Sequence, residues 1–241
     1  MLKKIIFIWF CIVGFSMALN AQYYRRVATY PTWYIGADTG VNWFLGEGNN
    51  PMKSSNYFSV IQNAGLMERV SVGYNMNPII GFRSFLGLTL HSWPDVRVKN
   101  TDNTYLIRTF QAENLTVDLM VNLTNLVGTF NRHRIFELFA FGGGGIANRD
   151  RAVLVDANMN NAYDPIITMI GRAGLQGNFR LSSELDLNFL VEGNLVNDNY
   201  NGYVYGLPVD LYGGLTVGVS YHFVTDRMKT WKIPVHKRRR Y

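Results

Sequence analysis

The chain has one cysteine, Cys11, and it lies inside the first apolar run of the sequence. Disulfide stapling and thiolate metal centres are therefore excluded for everything after that run. Seven prolines and four histidines are too few for a proline-rich linker or a histidine-rich metal tract. Beyond the leader, no apolar stretch is long enough to cross a bilayer as a helix. Charge is also sparse, at 17% of residues, whereas aromatics reach 14% and glycine numbers 23. Few prolines, many aromatics and many glycines point to strands rather than helices.

The opening MLKKIIFIWFCIVGFSMALNAQ sets Lys3 and Lys4 before an apolar core from Ile5 to Leu19, then small residues to Ala21-Gln22. That is the pattern of a secretory signal peptide cut after Ala21. Cys11 stands mid-core behind Ile8-Trp9-Phe10, without the small residues that a lipid-modified cysteine needs. The expected plan is a signal peptide at 1–21, a periplasmic lead at 22–32, a β-barrel at 33–223 and a basic tail at 224–241. The net charge of +6 is uneven. Leader and tail carry it, the tail through Lys229, Lys232, Lys237, Arg238, Arg239 and Arg240, so the body is mildly acidic. A nucleic-acid surface is not expected, and the tail suits a periplasmic anionic partner.

From Trp33 the chain alternates with period two. Trp33, Ile35, Ala37, Val41 and Trp43 share one face, and Tyr34, Gly36, Asp38, Gly40 and Asn42 share the other. Similar patterns cover about Leu66–Met76, Ile80–His91, Tyr105–Leu123, Arg134–Ala147, Ile166–Leu181, Ser183–Asn197 and Asp210–Phe223. A water-soluble sandwich would put Lys and Thr on its polar face, whereas this face holds Gly, Asn, Asp, Glu and Arg. Short links at Asn75–Pro78 and Leu181–Ser183 alternate with long polar ones, as periplasmic turns alternate with extracellular loops. Thr124–His133 is a long link on the short side. Trp33, Trp43, Tyr74, Trp93, Tyr221 and Phe223 stand near strand ends, where aromatic girdles belong. The expected fold is all-β: an eight-stranded antiparallel up-and-down transmembrane β-barrel of a Gram-negative outer membrane. Its surroundings would be outer-membrane lipid and lipopolysaccharide.

Alternation points Asp38, Arg69, Arg83, Arg108, Asp118, Glu137, Arg172, Arg180, Glu184, Asp186 and Glu192 into the lumen. An eight-stranded interior is just wide enough for side chains to fill, and isolated buried ions are costly. Two readings stand: a salt-bridged plug, or a narrow gated pore. No catalytic set emerges. His91 and Ser92 are adjacent on one strand and face opposite sides, so they cannot form a nucleophile–base pair. His222 is expected beside Ser220 at the periplasmic mouth. Asp156, Asn158 and Asn160 imitate the start of a calcium loop, but its glycine and closing glutamate are absent. No metal or cofactor is expected.

Four glycines, Gly142 to Gly145, follow the apolar run at Phe139. Without a following helix they are a poor phosphate cradle. Parity puts Gly143 and Gly145 toward the lumen and Gly142 and Gly144 toward lipid. Their expected use is close backbone approach, leaving room for inward Tyr34 or Phe85.

Thr216-Val-Gly-Val-Ser-Tyr-His-Phe223 resembles the signal by which barrel-assembly machinery recognises outer-membrane substrates, carried by Thr216, Gly218, Tyr221 and Phe223. Asn42-Trp-Phe44, Arg69-Val-Ser-Val-Gly-Tyr74, Leu115-Thr-Val-Asp-Leu-Met-Val121 with Phe130-Asn-Arg-His-Arg134, and Gly213-Gly-Leu-Thr-Val-Gly-Val219 resemble the N-terminal barrel of OmpA-like outer-membrane proteins. The long link at Thr124–His133 belongs to that resemblance. The family's peptidoglycan-binding domain has no counterpart in Val224–Tyr241, so peptidoglycan anchoring is not implied. The resemblance implies a non-enzymatic role in envelope integrity and surface interaction. A small solute pore, or a subunit of a larger envelope or secretion assembly, are the alternatives.

Overall fold

The computed structural model describes residues 30–44, 64–94, 107–150, 153–154, 165–201 and 208–223. The segments expected as signal peptide, most of the lead, the Asp156 loop and the basic tail lie outside the described residues. Eight long strands form the body. They are β1 (Thr32–Phe44), β2 (Gly65–Asn75), β3 (Ile80–Pro94), β4 (Ile107–Asn122), β5 (Phe136–Arg149), β7 (Ile166–Arg180), β8 (Leu185–Asn197) and β9 (Val209–His222). A two-residue strand, β6 (Val153–Leu154), pairs with Arg108 and Thr109 at the outer part of β4. One short helix, α1 (Leu123–Val127), joins β4 to β5. Every pairing is antiparallel between neighbours, and β1 pairs with both β2 and β9, so the ring closes. Closure leaves no free edge for another chain to extend.

Burial runs opposite to that of a water-soluble protein. Val70, Val72, Leu86, Val117 and Val191 are all more than half exposed, whereas Arg83, Asp118, Glu137 and Glu192 are at most 5% exposed. Each apolar side chain of that size left in water would forgo about 1.5–3 kcal/mol of burial. Such an outer face is stable only against hydrocarbon. Strands of 11 to 16 residues meet or exceed the ~9–11 that a tilted transmembrane strand requires. One row interrupts the belt: Thr39, Glu68, Glu113 and Asn148, polar except for Leu88 between the two glutamates, are neighbours in register across β1 to β5.

The short links are short because side chains close them. The Asn77 carboxamide oxygen accepts from the backbone N–H of Ile79 and of Ile80, each at 2.8 Å. The Ser182 hydroxyl oxygen likewise accepts from Glu184 N–H at 3.1 Å and Leu185 N–H at 3.0 Å. Asn and Ser provide this local alternative to ladder bonding. At the same end, Trp33 packs on Tyr74 at 4.8 Å, Phe136 on Phe179 at 4.8 Å and Tyr221 on Phe223 at 5.5 Å. That is an aromatic girdle on the periplasmic side. The Trp93 side chain lies outside the described residues.

Several element ends differ from the sequence reading by one to three residues. Strand β5 runs on to Arg149, two residues past Ala147, because register with Ala112 and Ile166 continues. Leu123 leaves β4 for α1, where the Asn122 side-chain oxygen caps the helix by accepting from Asn125 N–H at 3.0 Å.

Candidate functional site: the charged lumen

The strands deliver their inward residues in three layers. At the outer end, Met67, Phe110, Ala112, Ala147, Ile170, Val196, Tyr200 and Tyr212 form one buried cluster. Tyr200 comes from a 3-10 turn (Asp198–Asn201) that folds into the mouth after β8. Its hydroxyl lies 3.1 Å from His91 Nε2, and its ring meets Phe110 edge-on at 5.5 Å. Arg149 donates to the Tyr200 carbonyl oxygen at 2.8 Å. This apolar outer layer lay hidden in the sequence, although Met67, Phe110, Ile170, Val196 and Tyr212 share the parity of the polar face.

The middle layer is ionic. Glu192 Oε2 accepts from Arg69 at 2.6 Å and from Arg172 at 2.5 Å. Arg172 also lies 3.6 Å from Asp118 Oδ1, and Arg83 donates to Asp118 Oδ2 at 3.0 Å. Arg83 further donates to the Gln176 carboxamide oxygen. Arg69 donates to the Thr216 hydroxyl at 2.8 Å, and Arg172 to that of Thr116 at 3.1 Å. The three guanidinium carbons stand 4.1 to 4.7 Å from the Phe85 ring centre. A buried aromatic face among three cations offsets some of their desolvation. Phe85, Met120, Phe139, Phe141 and Leu190 fill the space between charges.

The periplasmic layer centres on Arg180, which meets Glu137 at 3.1 Å and Asp186 at 3.6 Å. His222 Nε2 lies 3.1 Å from Asp186 Oδ2. His222, two residues from Ser220 on the same face of β9, thus reaches Asp186, while the Ser220 hydroxyl accepts from Asn188 at 2.6 Å. Asn125 of α1 donates to Glu137 at 3.2 Å, so the long β4–β5 link closes over this layer. A cavity of about 20 Å³, room for a single water, remains among Tyr30, Glu137, Arg180, Asp186 and His222. Burial, reinforced by the Glu137 carboxylate, pushes the Tyr30 phenol up.

Folding therefore favours the neutral phenol of Tyr30. Its contribution to stability is complete below the unfolded-chain value of 10.0 and is lost as pH rises beyond it. Urea unfolding should accordingly show a fall in stability as pH rises above 10, which Tyr30→Phe reduces. An identical fall in the variant would show that Tyr30 contributes nothing to it.

Of the eleven lumen charges expected, Arg69, Arg83, Asp118, Glu137, Arg172, Arg180, Asp186 and Glu192 come together in these two ionic layers. Asp38 points inward beside Gly218 and opposite Arg69 in register, with no ion pair within 4 Å among the described residues. Glu184 lies half-buried in the β7–β8 turn, not on a strand, because β8 begins only at Leu185. The Arg108 side chain lies outside the described residues. Gln176 and Asn125 were missed, though the parity of the first and the position of the second at the mouth placed them inward. The room at Gly143 serves its neighbour Asp118 rather than Tyr34 or Phe85, while Tyr34 lies over Gly73.

Among the described residues no cluster of His, Cys, Asp and Glu could hold a metal ion. No family model matches the chain. It is 23% identical over 201 residues to outer membrane protein 40 of Porphyromonas gingivalis, covering 82% of this chain and 49% of that one. This chain is an eight-stranded outer-membrane β-barrel. The barrel spans about half the length of the curated relative it matches. Solved structures similar to the barrel include Neisserial surface protein A, at 14% identity over 79% of this chain and 97% of that one, with a TM-score of 0.46. OprG of Pseudomonas aeruginosa is another, at 10% identity over 83% and 99%, with a TM-score of 0.48. The short turns and α1 lie together at the periplasmic end of the barrel.

Proposed function

We propose that the barrel is a non-enzymatic component of envelope structure and surface interaction, with its lumen closed by paired charges. The observation that carries this reading is Glu192 held between Arg69 and Arg172, with Arg172 reaching on to Asp118. These side chains come from β2, β4, β7 and β8, so the bonds tie strands together through the interior. A solute path would have to break several charge-assisted bonds at once. The aromatic layer at the outer mouth and the Arg180 layer at the inner one support closure at both ends.

On this reading the strands form a rigid cylinder that displays the long outer links. Thr216, Gly218, Tyr221 and Phe223 act as the assembly signal, which the outward exposure of Tyr221 and Phe223 supports. The basic tail, Lys229 to Arg240, is proposed to meet an anionic periplasmic partner. Deleting the gene tests the role. The expected result is sensitivity to detergents and bulky antibiotics, with small-solute uptake unchanged. Reduced uptake of a small solute in an otherwise intact envelope would overturn the reading in favour of a pore.

A further inference from the structure

The periplasmic rim carries apolar side chains that the barrel wall does not need. Val127 at the end of α1 is 89% exposed, the highest value among the described large hydrophobic residues. Leu126 beside it is 55% exposed, and Ile135 after the link is 54% exposed. In a helix, successive residues turn by about 100°. Asn125 points inward, donating to the Pro78 carbonyl oxygen at 2.9 Å and to Glu137 at 3.2 Å. Val127, two residues on, is therefore turned away from the lumen, with Leu126 between.

This face is held in place. The Thr124 hydroxyl accepts from Leu138 N–H at 2.7 Å, which fastens α1 to β5. Arg134 donates to the Asn125 side-chain oxygen at 2.9 Å and to the Thr129 carbonyl oxygen at 2.8 Å, folding the link back on itself. A link built only to meet water would have no use for two rigidly presented aliphatic side chains. The patch also continues an established interface. Asn122 N–H donates to the Ile79 carbonyl oxygen at 2.7 Å, which sets α1 beside the β2–β3 turn. That turn presents Met76 and Ile80, and β5 presents Phe136, all exposed at the lower edge of the lipid belt. Between Thr124 and Ile135 the link carries Arg132, His133 and Arg134 and no acid.

We propose that α1 and the start of β5 form an interfacial foot that rests on the periplasmic leaflet. Leu126 and Val127 enter the boundary between phospholipid headgroups and acyl chains, and the basic link lies over anionic headgroups. An apolar face with basic neighbours is the arrangement that binds in the plane of a membrane surface. The foot fixes the depth and tilt of the cylinder and holds the inner mouth at the membrane surface.

Site-directed fluorescence tests this on the full chain. Cys11→Ser removes the only cysteine of the sequence, and Val127→Cys then carries a single environment-sensitive dye. Val117→Cys, 57% exposed within the belt, is the deep reference. Leu126→Cys is the second rim position should Val127→Cys fail to fold, as judged by heat-modifiable migration. The probe is a vesicle of phosphatidylcholine and phosphatidylglycerol. The rim dye should be quenched by lipid brominated near the carbonyl end of its chains and shielded from aqueous iodide by about twofold or more relative to free dye. The Val117 dye should respond to bromine placed deeper. A rim dye quenched by iodide as strongly as free dye, and by no brominated lipid, overturns the proposal and leaves the foot facing water or a protein.

Discussion

Gly143→Leu is expected to abolish the compact, heat-modifiable form of the barrel, whereas Gly142→Ala should fold with nearly normal yield. The two residues are adjacent on β5 and identical in chemistry, so composition predicts no difference between them. The strand pairing does. Gly143 is opposite Asp118 on β4 and Arg172 on β7. A Cβ added there would collide with the Val117 carbonyl oxygen and stand 2.7 Å from the Asp118 Cα. Backbone cannot yield as a flexible side chain does, which puts the cost at the top of the ~1–3 kcal/mol usual for overpacking. It would also displace Asp118, which Arg83 and Arg172 both require. At Gly142 the nearest atom to an added Cβ is the Arg172 carbonyl oxygen, 4.0 Å away on the lipid side. A methyl group there enters hydrocarbon. Equal yields from the two variants, read by gel migration after refolding into vesicles, would refute this account of the facing.

Glu192→Gln should lower unfolding stability by about 3–5 kcal/mol, the usual range when one partner of a buried pair is removed. The substitution keeps the shape of the side chain and removes only its charge. Arg69 and Arg172 then lose the carboxylate they share at 2.6 and 2.5 Å, and the middle layer keeps three arginines against Asp38 and Asp118. Water cannot compensate, since both arginine side chains are 3% exposed. Glu68→Gln, on the outer face of β2, is the matched comparison and should change stability by less than about 1 kcal/mol. Urea unfolding in lipid vesicles measures both. Equal effects would mean that the interior layer is not what holds the strands together.

Much of this architecture was legible because a β-strand imposes a period of two, so each side chain has only two destinations. Arg69, Arg83, Asp118, Arg172 and Glu192 could be assigned inward from parity alone. Parity does not say which inward residues meet, because that depends on the stagger between strands. The sharing of Glu192 by Arg69 and Arg172, from β2 and β7, was therefore invisible. The outer aromatic layer was missed for a related reason. Tyr212 and Met67 fall on the face that looked polar, and Tyr200 arrives from a turn with no period to read. Glu184 was read by extending the β8 pattern one step beyond its start at Leu185, into a turn that Ser182 closes. Gly143 was read correctly as making space, but the neighbour it serves is set by register, which the sequence does not display.

The central claim is a cylinder closed along its length by ionic and aromatic layers. Single-channel recording of the purified protein in a planar bilayer tests it most directly. The account predicts a silent baseline at moderate voltage for the wild-type protein, with incorporation confirmed by heat-modifiable migration of protein recovered from the membrane. Steady unitary currents of constant size from the wild-type protein would contradict it and make the lumen a pore.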